Sequence, residues 1–600
     1  MIILSSFLIA VISILIAFYL KIPGLYYFYG SQYLPDLIIK LGDFFLIFYI
    51  LWISYKISEP KIAVFTLLQL IMLVYFDFFV LKESEVPFFF ADELSILMNL
   101  IISIVGSIIA IYSLGYMERH ERLHHVSPTR QPRFFAIVLM FIGAMNGLIF
   151  SNSLMGLYFF WEFTSLCSFL LISHDGTKEA AQNGARALWM NMLGGVAFIA
   201  GIIFLYTHYG ILSLDELLKF SGGNYITIFV ALLGFAAFTK AAQPPFESWL
   251  LGAMVAPTPV SSLLHSSTMV KAGIYLLLRL APIMKGSILS NIIAIYGAYT
   301  FLSTAVLALS QSNAKRILAY STVSNLGLMI ASIGINTSSS IAAAMMLLLF
   351  HAVSKGLLFL CVGTIEQEIN SRDIEDMKGL ILKMPVTSLI TSIGILTLMI
   401  APFGMLLSKW LAMEAASRHF AVAMMMAAGS AVSVIFYSRW IGNLISTTKM
   451  GVLGRIRKCK EKLPNSILFA LESLAFMAVA MSLFVGKIFN ALIKPEINLM
   501  HMELSIRAAS GYLSNGGIGG FSVYPVFIMI FLAGLLSLMT IKNSPALHTT
   551  SYMCGLQHNT MDYEAKNYYL GSLFNEDRFK RYIDFISAAL ILLLMGGSII

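Results

Sequence analysis

The sequence predicts an all-α polytopic membrane protein with about 16–17 transmembrane helices. Of its 600 residues, 58% are hydrophobic and only 12% are charged, whereas soluble domains carry about 25% charged residues. The apolar residues form continuous runs of about 20, the helix length that crosses the hydrocarbon core of a bilayer. These observations exclude a soluble globular fold, a disordered chain and a disulfide scaffold.

Each apolar run predicts one span. The first run could be mistaken for a secretory signal peptide, but it has no basic n-region and no small-residue cleavage site, so we interpret it as a membrane helix. The predicted spans are 2–20, 37–57, 61–81, 93–116, 134–150, 152–173, 184–206, 224–252, 256–282, 287–309, 317–334, 339–363, 383–416, 419–443, 466–487, 523–542 and 583–599.

Two of these spans are predicted to be broken helices. Residues 224–252 contain Pro244 and Pro245, residues 383–416 contain Pro402, and both stretches are too long for a single crossing. Proline removes a backbone donor and clashes with the preceding turn, so we expect each helix to break there. Interrupted helices at matching places in two halves indicate a transporter built from inverted repeats.

The hydropathy and the breaks divide the chain into four parts. We predict N-terminal transmembrane helices over 1–116, followed by two five-helix halves over 134–282 and 287–443. The remainder, 444–600, is predicted to hold C-terminal spans with an amphipathic connector.

Basic residues of the short loops gather on one predicted side of the membrane, which includes the stretches Arg119–Arg133 and Lys449–Lys462. Such an asymmetry indicates the cytoplasmic side. The net charge of +8 is therefore an orientation signal and gives no indication of a nucleic-acid partner.

Ionisable residues inside the predicted spans are the candidate functional residues. Each costs at least about 2.5–3.5 kcal/mol on insertion scales, so its presence needs a reason. Two unit charges about 8 Å apart interact by about 2 kcal/mol at an effective dielectric constant of about 20, so a proton on one group can change the charge state of the next. A row of such groups can pass protons stepwise, although single members could be structural anchors. The candidates are Glu162, Lys240, His265, Lys271, His351, Lys355 and Lys409.

No cofactor is expected in this chain. Its four cysteines are scattered without a CxxC pair, so they predict neither a metal nor a haem site. No nucleophile and base stand together in a pattern that indicates an intramembrane enzyme. The term enzyme would then apply to a complex that contains this chain.

Two neighbouring segments carry a family likeness. Residues 238–250 (FTKAAQPPFESWL) and 256–275 (APTPVSSLLHSSTMVKAGIY) closely resemble the signature of antiporter-like proton-translocating membrane subunits. That family includes subunits of respiratory complex I, of multisubunit sodium/proton antiporters and of energy-converting membrane-bound hydrogenases. The likeness covers roughly 90–445, and further matching pieces are 92–95 (DELS), 112–117 (YSLGYM), 160–163 (FWEF), 350–359 (FHAVSKGLLF) and 402–404 (PFG).

The resemblance implies a half-channel in each inverted repeat and a polar axis at mid-membrane that joins them. On the matching positions, Glu162 and Lys240 resemble the first-half Glu–Lys pair. His265 and Lys271 resemble the bridge between the halves. The resemblance further implies second-half relay groups and a terminal lysine at His351, Lys355 and Lys409.

One departure from the family pattern concerns the helix after Glu162. The family often carries another acidic residue there, but residues 191–195 read NMLGG and contain no carboxylate.

Within the family, residues 249–257 (WLLGAMVAP), 269–273 (MVKAG) and 277–282 (LLRLAP) most resemble the large antiporter-like subunit of an energy-converting nickel–iron hydrogenase. This likeness implies a ferredoxin-linked redox complex in the plasma membrane of a prokaryote. Its partner subunits would carry the iron–sulfur clusters and the nickel–iron or other redox site. The alternatives are a subunit of a multisubunit sodium/proton antiporter and the distal pump subunit of a complex I-type dehydrogenase. In all three cases the transported ion is a proton, with sodium as a further possibility.

Overall fold

The computed structural model describes residues 2–19, 26–28, 33–81, 86–220, 226–399, 402–445, 461–500, 502, 506–515, 519–543 and 576–598. Within this part of the chain, 12 helices are long and apolar enough to cross a membrane, and three shorter apolar helices accompany them. The predicted all-α polytopic membrane class is confirmed. Most of the predicted amphipathic connector between the last two spans lies outside the described residues.

The N-terminal region forms membrane helices that pack around a short pair of strands. A π-helical turn at Ile101–Val105 joins two α-helices into one long helix over Glu93–Leu123. The elements are α1 (Ile2–Tyr19), β1 (Tyr26–Phe28), α2 (Tyr33–Ile57), α3 (Pro60–Tyr75), β2 (Phe89–Ala91), α4 (Glu93–Leu100) and α5 (Gly106–Leu123).

The next stretch corresponds to the predicted first half, and its helices begin at polar caps. The Ser153 hydroxyl accepts a hydrogen bond from the Gly156 amide, and Thr177 caps the following helix in the same way. The helices are α6 (Gln131–Phe150), α7 (Leu154–Ile172), α8 (Lys178–Tyr209), α9 (Leu214–Lys219), α10 (Ile226–Lys240), α11 (Ser248–Gly252), α12 (Thr258–Ser266) and α13 (Met269–Leu280).

The stretch that corresponds to the predicted second half forms the most enclosed part of the protein, since its second and third helices are fully buried across their apolar windows. Asn313 and Thr337 cap these two helices, and Asn336 and Asn370 end them in the left-handed conformation. The helices are α14 (Ile288–Leu309), α15 (Ala314–Ile335), α16 (Ser338–Ile369), α17 (Pro385–Met399), α18 (Gly404–Ala415) and α19 (Phe420–Ile445).

The C-terminal region mixes helices with a small antiparallel sheet, which the all-α prediction did not contain. A turn at Ser510–Gly511 connects two four-residue strands, and a glycine-containing strand completes the sheet. The elements are α20 (Asn465–Leu483), α21 (Val485–Ile488), α22 (Lys494–Leu499), β3 (Ile506–Ala509), β4 (Tyr512–Asn515), β5 (Gly519–Ser522), α23 (Tyr524–Asn543) and α24 (Glu576–Gly597).

Three of the predicted spans are each two shorter helices, so the described residues hold fewer uninterrupted crossings than predicted. For two of the three, the sequence predicted a break at proline. Residues 224–252 divide into α10 and α11, and residues 383–416 divide into α17 and α18. The third, 256–282, divides into α12 and α13 with no proline at the division. There the Thr268 hydroxyl donates to the Leu263 carbonyl, because a threonine side chain can compete with the helical backbone for its acceptors.

Small residues let α14 and α15 pack backbone against backbone. A Cβ built on Gly297 would lie 2.3 Å from the Ala331 amide nitrogen, and one built on Gly327 would lie 2.8 Å from the Gly297 carbonyl oxygen. Such close approach is typical of membrane helices, which associate by packing rather than by a hydrophobic driving force. This pair forms the rigid wall behind the break between α10 and α11.

The predicted cytoplasmic loops come together on one face. Arg119 pairs with Glu368 at 2.6 Å, and His120 pairs with Asp175 at 3.1 Å. Burial alone would raise the pKa of Asp175, but the hydrogen bond and charge of His120 outweigh it and hold that pKa below its usual value. Ion pairs therefore join the loops that the basic residues assigned to the cytoplasmic side.

Candidate functional site

All seven ionisable residues predicted for the site are buried. Their exposed fractions range from 0% to 6%. An ammonium or carboxylate group removed from water to this degree is retained only when hydrogen bonds or charge partners compensate. The buried residues are Glu162, Lys240, His265, Lys271, His351, Lys355 and Lys409.

Lys240 is the last residue of α10 and reaches the turn of α7 that carries Glu162. Its Nζ donates to the Trp161 carbonyl oxygen and to the Ser165 hydroxyl, both at 2.7 Å. The same Nζ lies 4.8 Å from the centre of the Trp161 ring. The ammonium group is thus held by neighbours of Glu162 on the same helix, where the two charges act on each other.

The Glu162 carboxylate is held by a residue that sequence reasoning missed. Gln69 of α3 donates to Glu162 Oε1 at 3.3 Å and to the Met192 carbonyl oxygen at 3.0 Å. Glu162 Oε2 is buried without a hydrogen-bond partner. One carboxylate oxygen therefore remains available to a proton or to a water molecule.

Gly195 of α8 lies directly against this pair. A Cβ built on Gly195 would lie 1.8 Å from Glu162 Oε1 and 2.3 Å from Gln69 Nε2, so a larger residue there would displace the two side-chain ends. Asp43 of α2 is a second buried carboxyl group, and it lies in electrostatic range of Asp77 and of Glu162. Asp77 stands within the predicted span 61–81, and the sequence gave no partner for it.

The break after Lys240 is fixed by hydrogen bonds to its backbone. The Tyr296 hydroxyl donates to the Pro244 carbonyl oxygen at 2.7 Å, and the Trp249 indole donates to the Thr239 carbonyl oxygen at 2.9 Å. Proline cannot donate from its own nitrogen, so these side chains satisfy groups that a continuous helix would have paired. The second break lies beside Pro402, between the end of α17 and the start of α18.

The structure brings Lys271 of α13 against His351 of α16. Lys271 Nζ and His351 Nδ1 are 2.7 Å apart, and His351 Nε2 has no hydrogen-bond partner. His265, at the other side of the division between α12 and α13, contacts the Phe359 ring, and both of its ring nitrogens lack partners. His265 lies within electrostatic reach of Lys271 and Lys355, and His351 lies within reach of these three residues.

The two remaining lysines belong to the predicted second half. Lys355 Nζ donates to the Leu318 carbonyl oxygen at 2.9 Å and to the Ser321 hydroxyl. Lys409 of α18 donates across the break to the Leu398 carbonyl oxygen of α17 at 3.3 Å. Lys355 repeats the arrangement of Lys240, in which a buried ammonium binds a backbone carbonyl and a serine one turn later on a neighbouring helix.

A buried charge cluster outside this row was also missed. The Arg279 guanidinium, which is fully buried, donates to Asp92 and to the Ser95 hydroxyl at 2.8 Å. Glu496 of α22 lies 3.7 Å from the same guanidinium. Arg279 and Asp92 both lie in matching pieces of the family, but sequence separation hid their pairing. The cluster ties α13 to α4 and to the C-terminal region.

The described residues contain no group of three or more histidine, cysteine or acidic side chains that could hold a metal ion. Cys167 and Cys361 are buried free thiols on α7 and α16. The carboxylate, amine and imidazole groups of the site can bind and release protons.

Two sequence profiles match the chain. The profile described as NADH:quinone oxidoreductase/Mrp antiporter, TM, matches residues 151–435, and the one described as NADH-Ubiquinone oxidoreductase (complex I), chain 5 N-terminus, matches residues 85–135. The chain belongs to this antiporter-like family. The family likeness predicted from the sequence is confirmed.

Similar curated proteins are subunits of sodium/proton antiporters. One Na(+)/H(+) antiporter subunit from Staphylococcus haemolyticus is 38% identical over 348 residues, which is 54% of this chain and 42% of that protein. The corresponding Na(+)/H(+) antiporter subunit from Alkalihalophilus pseudofirmus is likewise 38% identical over 348 residues, with 53% of this chain and 42% of that protein covered. The match thus spans less than half the length of these relatives.

Two solved structures share the fold. A chain of the Mrp complex from Dietzia sp. DQ12-45-1b has a TM-score of 0.63 at 23% identity, with 84% of this chain and 56% of that chain covered. A chain of the membrane-bound sulfane sulfur reductase, an archaeal respiratory membrane complex, has a TM-score of 0.62 at 20% identity, with 78% and 97% covered. The names of the relatives favour the sodium/proton antiporter alternative over the hydrogenase interpretation.

Proposed function

We propose that this chain is an ion-translocating subunit of a multisubunit membrane complex and that protons move along its buried Glu, Lys and His residues. The observation that carries the proposal is the contact of Lys271 with His351, with further buried lysines on either side of it. A buried ammonium beside an imidazole can exchange one proton without a change in the net charge of the pair. A purely structural role would not require so many separate buried amines.

The proposed route starts at Glu162 and Lys240 and ends at Lys409. Lys271, His351 and His265 form the central section. Because each group is held by at most a few hydrogen bonds, we expect the movement of a proton to require local side-chain rotation rather than rearrangement of helices. The unpartnered nitrogens of His265 and the second nitrogen of His351 are positions where ordered water can complete the route.

The two-half organisation over 134–282 and 287–443 is part of the same proposal. Its support is the repeated binding mode of Lys240 and Lys355, each against a carbonyl and a serine of a neighbouring helix. Each half also contains a helix interrupted beside a proline.

The names of the curated relatives favour a sodium/proton antiporter as the complex, in the plasma membrane of a prokaryote. The remaining subunits of the complex would be its partners. A second candidate is the translocating subunit of a redox-linked complex, such as an energy-converting hydrogenase, which the residue pattern of 249–257 and 277–282 favours. In that case the electron-carrying cofactors reside in the partner subunits.

The two candidates are separated by isolation of the complex through an affinity tag on this chain, followed by reconstitution into vesicles with an imposed pH gradient. An antiporter dissipates the gradient when sodium is added, without any electron donor. A complex that moves protons only when reduced ferredoxin is supplied contradicts the antiporter assignment and supports the redox-linked one. A complex that moves protons under neither condition contradicts the proposed function itself.

A further inference from the structure

A polar cavity lies beside the break that follows Lys240. It has a volume of about 310 Å³, and several basic side chains line it. Since one water occupies about 30 Å³ in the liquid, the cavity has room for several water molecules. Its lining includes Ser248 of α11, Lys315 and Arg316 of α15, Arg372, and Glu576 and Lys580 of α24.

Glu247 is the last residue of the break and lies next to this cavity. Its side chain is 1% exposed. Oε1 forms an ion pair with Lys580 Nζ at a distance of 2.9 Å, while Oε2 is buried and has no hydrogen-bond partner. A carboxylate in this position needs its ammonium partner, because an unpaired buried charge is strongly destabilising.

Asp584 lies one turn after Lys580 on α24, so both side chains share one face of that helix. The Asp584 and Glu247 carboxylates act on each other, and Asp584 Oδ1 is also without a partner. Lys580 thus contacts the Glu247 carboxylate and acts electrostatically on the Asp584 carboxylate. When all three groups are ionised the net charge is −1, and uptake of one proton by either carboxylate neutralises the site.

The last helix is fixed against the break by further contacts. It packs on α10 and α14, and Thr227 of α10 donates to the Ser598 carbonyl oxygen at 2.8 Å. Gln243, fully buried between Lys240 and Glu247 in the sequence, has an Oε1 atom without a partner. The Gln243 side chain thus provides a polar atom between Glu247, beside the cavity, and Lys240.

We propose that Glu247, Lys580 and Asp584 form a proton-loading site that takes protons from the cavity and delivers them to the buried row at Lys240. The site makes α24 a working part of the translocation route, because Lys580 and Asp584 both belong to it. The ammonium of Lys580 keeps one carboxylate ionised and ready to accept a proton. This inference rests on the proposed function of the buried row.

The competing role for Glu247 is a clamp that attaches α24 through its bond to Lys580. The two roles predict a different order of proton-uptake rates for the Glu247 variants. Gln keeps the length and the hydrogen-bond acceptor but cannot bind a proton, whereas Asp is shorter by one methylene but still titrates. A loading site works better with Asp than with Gln, and a clamp works at least as well with Gln.

The experiment compares Glu247→Asp, Glu247→Gln and Lys580→Arg in the complete complex reconstituted into vesicles, with Arg578→Gln on the exposed side of α24 as the control. A positioned group that transfers protons typically contributes about 10²- to 10⁴-fold to the rate of a reaction. We expect Glu247→Gln to lower the initial rate of proton uptake by at least about tenfold. Glu247→Asp and Lys580→Arg should retain much more of the rate, and the control should match wild type.

Wild-type rates in Glu247→Gln, or a Glu247→Asp rate no higher than that of Glu247→Gln, would overturn the loading site. Lys240→Met is measured in parallel to separate this inference from the proposed function. If Lys240→Met is inactive while the Glu247 series overturns the loading site, only the inference fails. If Lys240→Met transports at the wild-type rate, the proposed function fails as well.

Discussion

Replacement of His351 tests whether protons pass through the central contact with Lys271. The two nitrogen atoms are 2.7 Å apart. At an effective dielectric constant of about 20, two positive charges at that distance repel by about 6 kcal/mol. Since about 1.4 kcal/mol corresponds to a factor of ten, the doubly charged pair is disfavoured by about 10⁴-fold. The pair therefore carries at most one positive charge, which a proton transfer can move between the two residues.

Two substitutions separate hydrogen bonding from proton transfer. His351→Gln keeps an acceptor for the Lys271 ammonium but cannot pass a proton onward, whereas His351→Leu removes both properties. We expect both variants to lower the rate of proton uptake by about 10²-fold or more, with Gln preserving assembly better than Leu. The control is His124→Gln on the exposed end of α5.

The assay is uptake of protons by vesicles that contain the complete complex and an internal pH-sensitive dye. The polypeptide composition of the complex is checked on the same preparation, so that loss of transport is not confused with loss of assembly. A His351→Gln complex that transports as fast as wild type would refute transfer through the imidazole. The hydrogen bond to Lys271 would then be structural only.

Three further substitutions probe the surrounding structure. Gly195→Ala should displace the Glu162 carboxylate from Gln69 and slow proton uptake several-fold. Thermal stability should change little, because the new Cβ would meet Glu162 Oε1, the end of a flexible side chain. Unchanged uptake would contradict this positioning. Arg279→Met should destabilise the complex in thermal denaturation by about 3–5 kcal/mol, since it leaves the Asp92 carboxylate buried and unpaired; an unchanged unfolding temperature would contradict it. Lys409→Ala should lower uptake by at least about tenfold while the complex assembles, and normal uptake would remove Lys409 from the route.

The sequence was informative where local chemistry determines the structure. Continuous apolar runs predicted a membrane protein because a bilayer span needs about 20 apolar residues. Prolines indicated two interrupted helices, and α10 ends four residues before Pro244. The division at Ser267–Thr268 was missed because it depends on a hydrogen bond from a threonine hydroxyl, a contact that no residue pattern uniquely marks.

Contacts between helices that are far apart in the sequence could not be predicted. Lys271 and His351 were each selected as candidates, yet their direct contact joins positions 80 residues apart. Gln69 was not considered at all, because an uncharged side chain in an apolar run carries no signal of its own. Its role appears only when α3 packs on α8 and brings its amide to Glu162.

Lys580 shows the same limit near the end of the chain. Its sequence context is a charged stretch that precedes the last apolar run, which is typical of a membrane-interface segment. The structure places it against Glu247, more than half the chain away. Electrostatic partners of this kind follow from helix packing and not from spacing.

Proton transport by a Lys240→Met complex tests the central claim most directly. Lys240 is fully buried and held by Trp161 and Ser165, and methionine preserves most of its volume while removing the amine. The account predicts an assembled complex without measurable proton uptake, whereas the exposed-site control Lys285→Met transports normally. Wild-type uptake by the Lys240→Met complex would contradict the account.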